Sequence, residues 1–491
     1  MDSNNCQIYN DIIVFNPEYD DLIDWKNFSN NLHTIIFSNY SESDIAIKLE
    51  NKYSQDYHCS NFSKYNKIIE NLPSNITKII FGYSFNNYID FSSNTNLKKI
   101  FFGYKFNQEI TKLPLFLTHL TFGNQFNQSI DILENFVELV YLELDKYFSH
   151  SIDLLPPNLE YFILMSETTY SVNNLPKKLK KLTLGRCFNN SIKNLPINLT
   201  HLHLGNNYTN EINVYLPNLI ELIIGHNFNK DVKKISSYLP ILQTFKLGNN
   251  FAKPVDLLPS NLLLLEFGTN FNNQVDKLPN KLTHLTFNYS FNNPVNKLPN
   301  NLTHLVFGYK FNTKINKLPN SIEYLVFGFN FNQSIDYLPS KILYLDLGVL
   351  FNQYVDNLPN DLKVLKFGYK FLKTIDNLPL GLKKIILGNN FNNPIENLPN
   401  SIEEIYLGML FSKDLNNLPN SLEKITFDIN SFYNKSIDNL PDSVKHIILH
   451  GNYNIKINKL PKNIQTITIS DEYPYIQHLQ QLQQFCIIKF L

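Results

Sequence analysis

The sequence predicts a mainly β solenoid of about twenty stacked coils, each giving one short strand to a parallel sheet. Three observations predict it. Leu-Pro recurs on a twenty-residue step, with prolines at Pro259, Pro279, Pro299, Pro319, Pro339, Pro359, Pro379, Pro399 and Pro419. Inside each step, apolar residues such as Leu305 and Phe307 stand two apart, which is strand spacing and puts both on one face. A helix would need sustained spacings of three and four and would not accept a proline in every step.

Along the chain, residues 1–72 precede the regular repeat and are expected to form an N-terminal cap with an irregular segment. The opening MDSNNCQIYNDIIVF has acidic and amide residues and no long apolar run, so no signal peptide is expected. Residues 31–37, NLHTIIF, read as a degenerate strand.

Residues 73–470 carry the repeats. The unit from Pro299 to Leu318 reads PNNLTHLVFGYKFNTKINKL, with apolar slots at Leu302, Leu305, Phe307, Phe311, Ile315 and Leu318. The next unit fills the same slots with Ile322, Leu325, Phe327, Phe331, Ile335 and Leu338. Gly308, directly after the strand, is expected to turn the chain through a positive φ. Pro299 is expected to open the return stretch, where its fixed φ suits an extended chain. The recurrent Phe271, Phe291, Phe311, Phe331, Phe351, Phe371, Phe391 and Phe411 predict a stacked aromatic spine. In the unit from Pro156, Thr168 holds that slot instead. The following Asn272, Asn292, Asn312, Asn332, Asn352 and Asn392 predict a ladder of amides satisfying the backbone of a buried turn. A single coil buries too little to offset the entropy of ordering twenty residues, so stacking is obligatory.

Residues 471–491 are expected to cap the last rung, with the strands ending near Ile469. Ile476, Leu479, Leu482 and Phe485 follow at helical intervals after Pro474, which suits a helix start. A dimerising helix is the alternative to a capping one; a monomer is expected.

Composition narrows the function. With 43 basic and 43 acidic residues, the chain has no charge footprint for nucleic acid or an anionic membrane. No run approaches the eighteen apolar residues of a membrane span. Cys6, Cys59, Cys187 and Cys486 lie far apart, with no CxxC pair, which disfavours a disulfide framework or structural zinc. Sequons within the repeats, such as Asn301-Leu302-Thr303, would crowd a secreted solenoid with glycans, so an intracellular, cytoplasmic protein is expected.

Candidate binding residues are the strand positions that alternate with the core. They include His201, His203, Glu221, His284, His304, Tyr324, Val326, Tyr344, Asp346 and Lys366. Regular in spacing and varied in chemistry, such a face suits an extended protein partner. Clustered histidines raise zinc, but Leu-Thr-His-Leu belongs to the repeat text, and repetition explains the clustering without a metal. No GxxxxGK[ST], HExxH, GxSxG or GxGxxG is present. No catalytic residue, cofactor or metal site is assigned.

The motif LP-x-x-L-x-x-L-x-F-G-x-x-F-N-x-x-I resembles the FNIP repeat, a relative of the leucine-rich repeat, over about four-fifths of the chain. The resemblance implies a leucine-rich-repeat-like solenoid with its parallel sheet along one face. Here Phe311 precedes Asn312, whereas the common leucine-rich pattern places asparagine before an apolar residue. FNIP-repeat proteins are associated with amoebae and their large viruses, so a viral source would place the chain in host cytoplasm. Some relatives carry an N-terminal F-box, but residues 1–72 show no such pattern. Three functions are expected in turn: a non-catalytic protein-binding scaffold; a substrate-recognition subunit of a ubiquitin ligase with an unrecognised docking element; and a structural or virion-associated component.

Overall fold

The computed structural model describes residues 6–28, 31–37, 63–450, 453–482 and 487–490. It divides into two compact units, one of residues 1–230 and 234–248, the other of residues 231–233 and 249–491.

The first unit starts with a hairpin. Strand β1 (Cys6–Tyr9) runs antiparallel to β2 (Ile12–Phe15), turning at Asn10, whose φ is 56°. From β2 onward pairing is parallel and sequential, first to β3 (Thr34–Ile36), inside the degenerate strand predicted there, and then to β4 (Lys78–Ile80). The order continues through β8 (Tyr161–Leu164), β9 (Lys181–Leu184), β10 (His201–Leu204) and β11 (Glu221–Ile224) to β12 (Thr244–Lys246).

In the second unit the strands run parallel from β13 (Leu264–Glu266) to β23 (Thr466–Ile469). Register is strict: Leu265, Leu285, Leu305, Leu325 and Leu345 face one another in successive rungs and are almost wholly buried. Their neighbours on either side point outward, as period-2 alternation requires.

Behind the sheet lies the aromatic spine. Phe271, Phe291, Phe311 and Phe331 stack at centroid distances of 6.2, 6.1 and 6.0 Å. Tyrosines continue it at the far end, where Phe411, Tyr433, Tyr453 and Tyr473 follow one another at 6.2, 6.4 and 6.1 Å. Each of these hydroxyls donates to a backbone carbonyl, on Ser436, Lys435 and Ile455 respectively, as a buried phenol requires.

The structure corrects four expectations. First, Gly308 does not take a positive φ; among the described glycines Gly348 does, at 75°. The glycines are needed because rungs approach closely: a Cβ on Gly328 would stand 1.7 Å from the Gly308 carbonyl oxygen. Second, Pro299 does not open the return stretch but closes it. Its carbonyl accepts from the Leu302 N–H at 3.2 Å, making the turn that leads into the next strand, and Pro279 and Pro319 do the same for Leu282 and Ile322.

Third, the asparagine ladder exists but is not buried. Asn292, Asn312, Asn332 and Asn352 each donate their backbone N–H to the side-chain oxygen of the asparagine one rung earlier, at 2.8–2.9 Å, on a largely exposed turn. Fourth, the strands do not end at Ile469. A short helix, α1 (Ile476–Leu482), buries Leu479, and β24 (Ile487–Phe490) then pairs parallel with β23. The run Ile-Ile-Lys-Phe, with two β-branched residues and an aromatic one, offers the edge of β23 a partner that the helical pattern concealed. The predicted helix residue Phe485 and the cysteines Cys59 and Cys486 lie outside the described residues.

Candidate functional site

Because strands are in register, outward residues of successive rungs form columns. In the second unit one column runs His284, His304, Tyr324, Tyr344, each ring stacked on the next at 4.2, 5.4 and 4.5 Å. The parallel column runs Thr286, Val306, Val326, Asp346, Lys366. Lys366 Nζ reaches Asp346 Oδ2 at 2.8 Å, and that contact holds the Lys366 ammonium above its ordinary pKa. Burial, with Asp346 close by, pushes the Tyr344 phenol up.

Ring spacing grows with depth. It is 4.2 and 4.5 Å for the like pairs on the outward face, 5.8 and 5.7 Å along the inward Phe287, Phe307 and Phe327, and about 6 Å on the spine.

Beyond Lys366 the chemistry changes. Lys383–Glu403 at 2.5 Å, Lys384–Glu404 at 2.7 Å and Lys445–Glu423 at 2.6 Å pair charges of neighbouring rungs with each other. Of these pairs, Lys384–Glu404 lies in the outward column itself, beside the outward Ile386, Tyr406 and Thr426.

The predicted site residues therefore fall into two groups. His284, His304, Tyr324, Val326, Tyr344, Asp346 and Lys366 occupy five successive rungs of the second unit. His201, His203 and Glu221 belong to the first unit. There His203 Nε2 meets Glu221 Oε1 at 2.6 Å, and this hydrogen bond holds the carboxyl below its ordinary pKa. Burial and the neighbouring Lys181 lower the His201 pKa. Among the described residues no group of three or more His, Cys, Asp or Glu is placed to hold a metal.

The sequence reading missed a third column. Tyr289, Tyr309 and Phe329, each on the turn after a strand, stack at 4.7 and 4.5 Å, with Lys310 Nζ 5.4 Å from the Tyr289 ring. The signal was available: an aromatic residue stands two places after Phe287, Phe307 and Phe327, on the same twenty-residue step.

The FNIP-repeat family model matches residues 252–290, 271–310, 291–330, 312–350, 371–410, 391–430 and 433–472. The chain carries FNIP repeats. Among solved structures the chain is similar to CroV588, described as a circular leucine-rich-repeat protein. The identity is 28%, with 95% of this chain and 90% of that one covered and a TM-score of 0.64. It is also similar to YopM from Yersinia enterocolitica, at 17% identity over 87% of this chain and 83% of that one, TM-score 0.45. Among curated proteins, none matches. The FNIP matches begin beside β13 and cover the aromatic columns, so these columns are built by the FNIP rungs themselves. No described helix is long and apolar enough to cross a membrane.

Proposed function

We propose that this FNIP-repeat chain is a non-catalytic scaffold that binds a protein partner on the outward sheet face of its second unit. The observation that carries the reading is the column His284–His304–Tyr324–Tyr344, half-exposed, stacked on itself and flanked by Val306 and Val326. Stacking fixes these rings before any partner arrives, so binding costs little side-chain ordering, and aromatic residues are favoured anchors. Asp346 and Lys366 close one end of the strip with a neutralised pair. His201, His203 and Glu221 extend the same kind of face in the first unit. Leucine-rich-repeat-type solenoids are generally interaction scaffolds, which supports this reading.

The test replaces Tyr324, Val326 and Tyr344 together by Ala and measures recovery of co-purifying proteins from a host-cell lysate. A partner of this face should fall by at least tenfold, about 1.4 kcal/mol. Undiminished recovery of every partner overturns the assignment. Recovery of ubiquitin-ligase adaptor proteins that is insensitive to the triple substitution would favour the substrate-recognition alternative.

A further inference from the structure

The turn that follows each strand of the second unit has a hydrogen-bond ladder of its own. Lys310, Asn330, Leu350 and Lys370 donate their backbone N–H groups to the carbonyls of Tyr289, Tyr309, Phe329 and Val349, each one rung earlier, at 2.8–2.9 Å. This ladder stacks Tyr289, Tyr309, Phe329, Val349 and Tyr369 into a stripe whose members are half-buried or exposed. Tyr309 has a ring stacked on each side, Tyr289 at 4.7 Å and Phe329 at 4.5 Å. Solvent therefore meets ring edges, which carry the positive part of the aromatic quadrupole.

A groove beside the stripe is lined by Ser290, Lys310, Asn330 and Leu350 together with Asn272, Asn292 and Asn312. The asparagine ladder spends the side-chain oxygens of Asn272, Asn292 and Asn312 on backbone N–H groups. What these amides have left to offer is NH2, a donor. The charges of this surface are of one sign. Turn segments 288–295, 308–315, 328–335, 348–355 and 368–375 hold Lys310, Lys314, Lys370 and Lys373 and no Asp or Glu. Among the described residues none of these lysines is ion-paired, whereas Lys277 and Lys297, on the return stretch, lie 3.9 and 3.4 Å from Asp256 and Asp276.

We propose that this turn face docks an acidic peptide segment of a partner protein, with carboxylates along the groove and apolar side chains on the stripe. Lysines, amide NH2 groups and ring edges all favour carboxylates, and a surface without acids repels none of them. Single-stranded nucleic acid, the other anionic polymer, needs open ring faces on which its bases stack, and here ring covers ring. From Tyr289 to Tyr369, rungs at about 4.8 Å span roughly 19 Å, room for about six extended residues. The proposal goes beyond the sheet-face reading and shares no residue with it, so either can fail alone.

The experiment selects peptides from a displayed random library on the immobilised full chain, then measures the enriched ones as fluorescent synthetic peptides by anisotropy. Enriched sequences should combine several Asp or Glu with aromatic or aliphatic residues. Lys310→Glu with Lys370→Glu should weaken their binding at least tenfold, and Tyr309→Ala should weaken it several-fold. The control pair Lys277→Glu with Lys297→Glu changes the net charge equally and should leave binding unchanged, which separates a docking surface from general attraction. Replacing Tyr324, Val326 and Tyr344 together by Ala should also leave it unchanged. Added salt should weaken binding, since the lysines are exposed or half-exposed. A thermal melt of each variant separates lost binding from lost folding. The proposal is overturned by enrichment without acidic sequences, by equal losses in the two lysine pairs, or by acidic peptides lost only in the sheet-face variant. A thymidine oligonucleotide binding as tightly as the best peptide would also overturn it, in favour of nucleic acid.

Discussion

Two stretches of the same repeat behave differently. From Phe271 to Phe351 every rung supplies a ring to the spine and an asparagine to the ladder, without interruption. In the first unit the spine is interrupted at one rung and the ladder at more, with Ser149 and Thr209 standing where the regular stretch has asparagine. The ladder of Asn66, Asn86, Asn107 and Asn127 reaches Ser149 and resumes at Asn189, whose side chain takes the Thr209 N–H. The spine runs through Phe126 and Phe148, tilts onto Tyr170 at 31°, and resumes with Phe188 and Tyr208 at 6.0 Å.

The missing ring at Thr168 is replaced by hydroxyls. Ser166, buried to 2% exposure, donates to the Phe148 carbonyl at 2.6 Å, and Tyr170 donates to the same oxygen at 2.6 Å. The sheet crosses this rung without a gap, with Leu142, Phe162 and Leu182 in register. The spine and ladder are thus separable from the strand stack, because inter-strand hydrogen bonds and inward leucines need only the neighbouring backbone.

This contrast can be broken at three levels. In the regular stretch, Phe311→Ala should lower unfolding free energy by about 3–5 kcal/mol, the cost of an unfilled aromatic slot. Thr168→Ala, in the equivalent slot, should cost less than about 1.5 kcal/mol. Chemical denaturation followed by circular dichroism compares them, and equal losses would mean that slot occupancy is not what distinguishes the stretches. At the interrupted rung, Ser166→Ala should cost about 1–3 kcal/mol, since it removes the acceptor of the Thr168 N–H as well as a donor to Phe148. An unchanged melt would show that Tyr170 alone bridges the gap. Smallest is the ladder: Asn312→Ala should cost about 0.5–1.5 kcal/mol and speed amide exchange at Asn332, whose N–H it accepts. Exchange unaltered at Asn332 would reduce the ladder to surface decoration.

Much of this was legible in residues. The inward leucines, the phenylalanine spine and the asparagine ladder each recur at fixed offsets, so a single rung read correctly gives all its copies. The outward columns were legible as positions, but their chemistry was not. That Tyr324 stacks on Tyr344 while Lys384 is taken by Glu404 depends on which side chains of adjacent rungs reach each other. The strand at Ile487–Phe490 was hidden because a strand added at a sheet edge is stabilised by its partner, and four residues carry little periodicity of their own.

The sequence alone determined the rung: its length, its inward set and the class of fold, since each follows from side-chain size and polarity at fixed spacing. Only the tertiary structure decided why Gly328 must lack a Cβ, that the rings of His284 and His304 stack, and that Lys366 pairs with Asp346. All three are set by atoms in the adjacent rung, close in space but a full repeat away in the chain, and the stacking geometry that brings those atoms together is not written in any single rung.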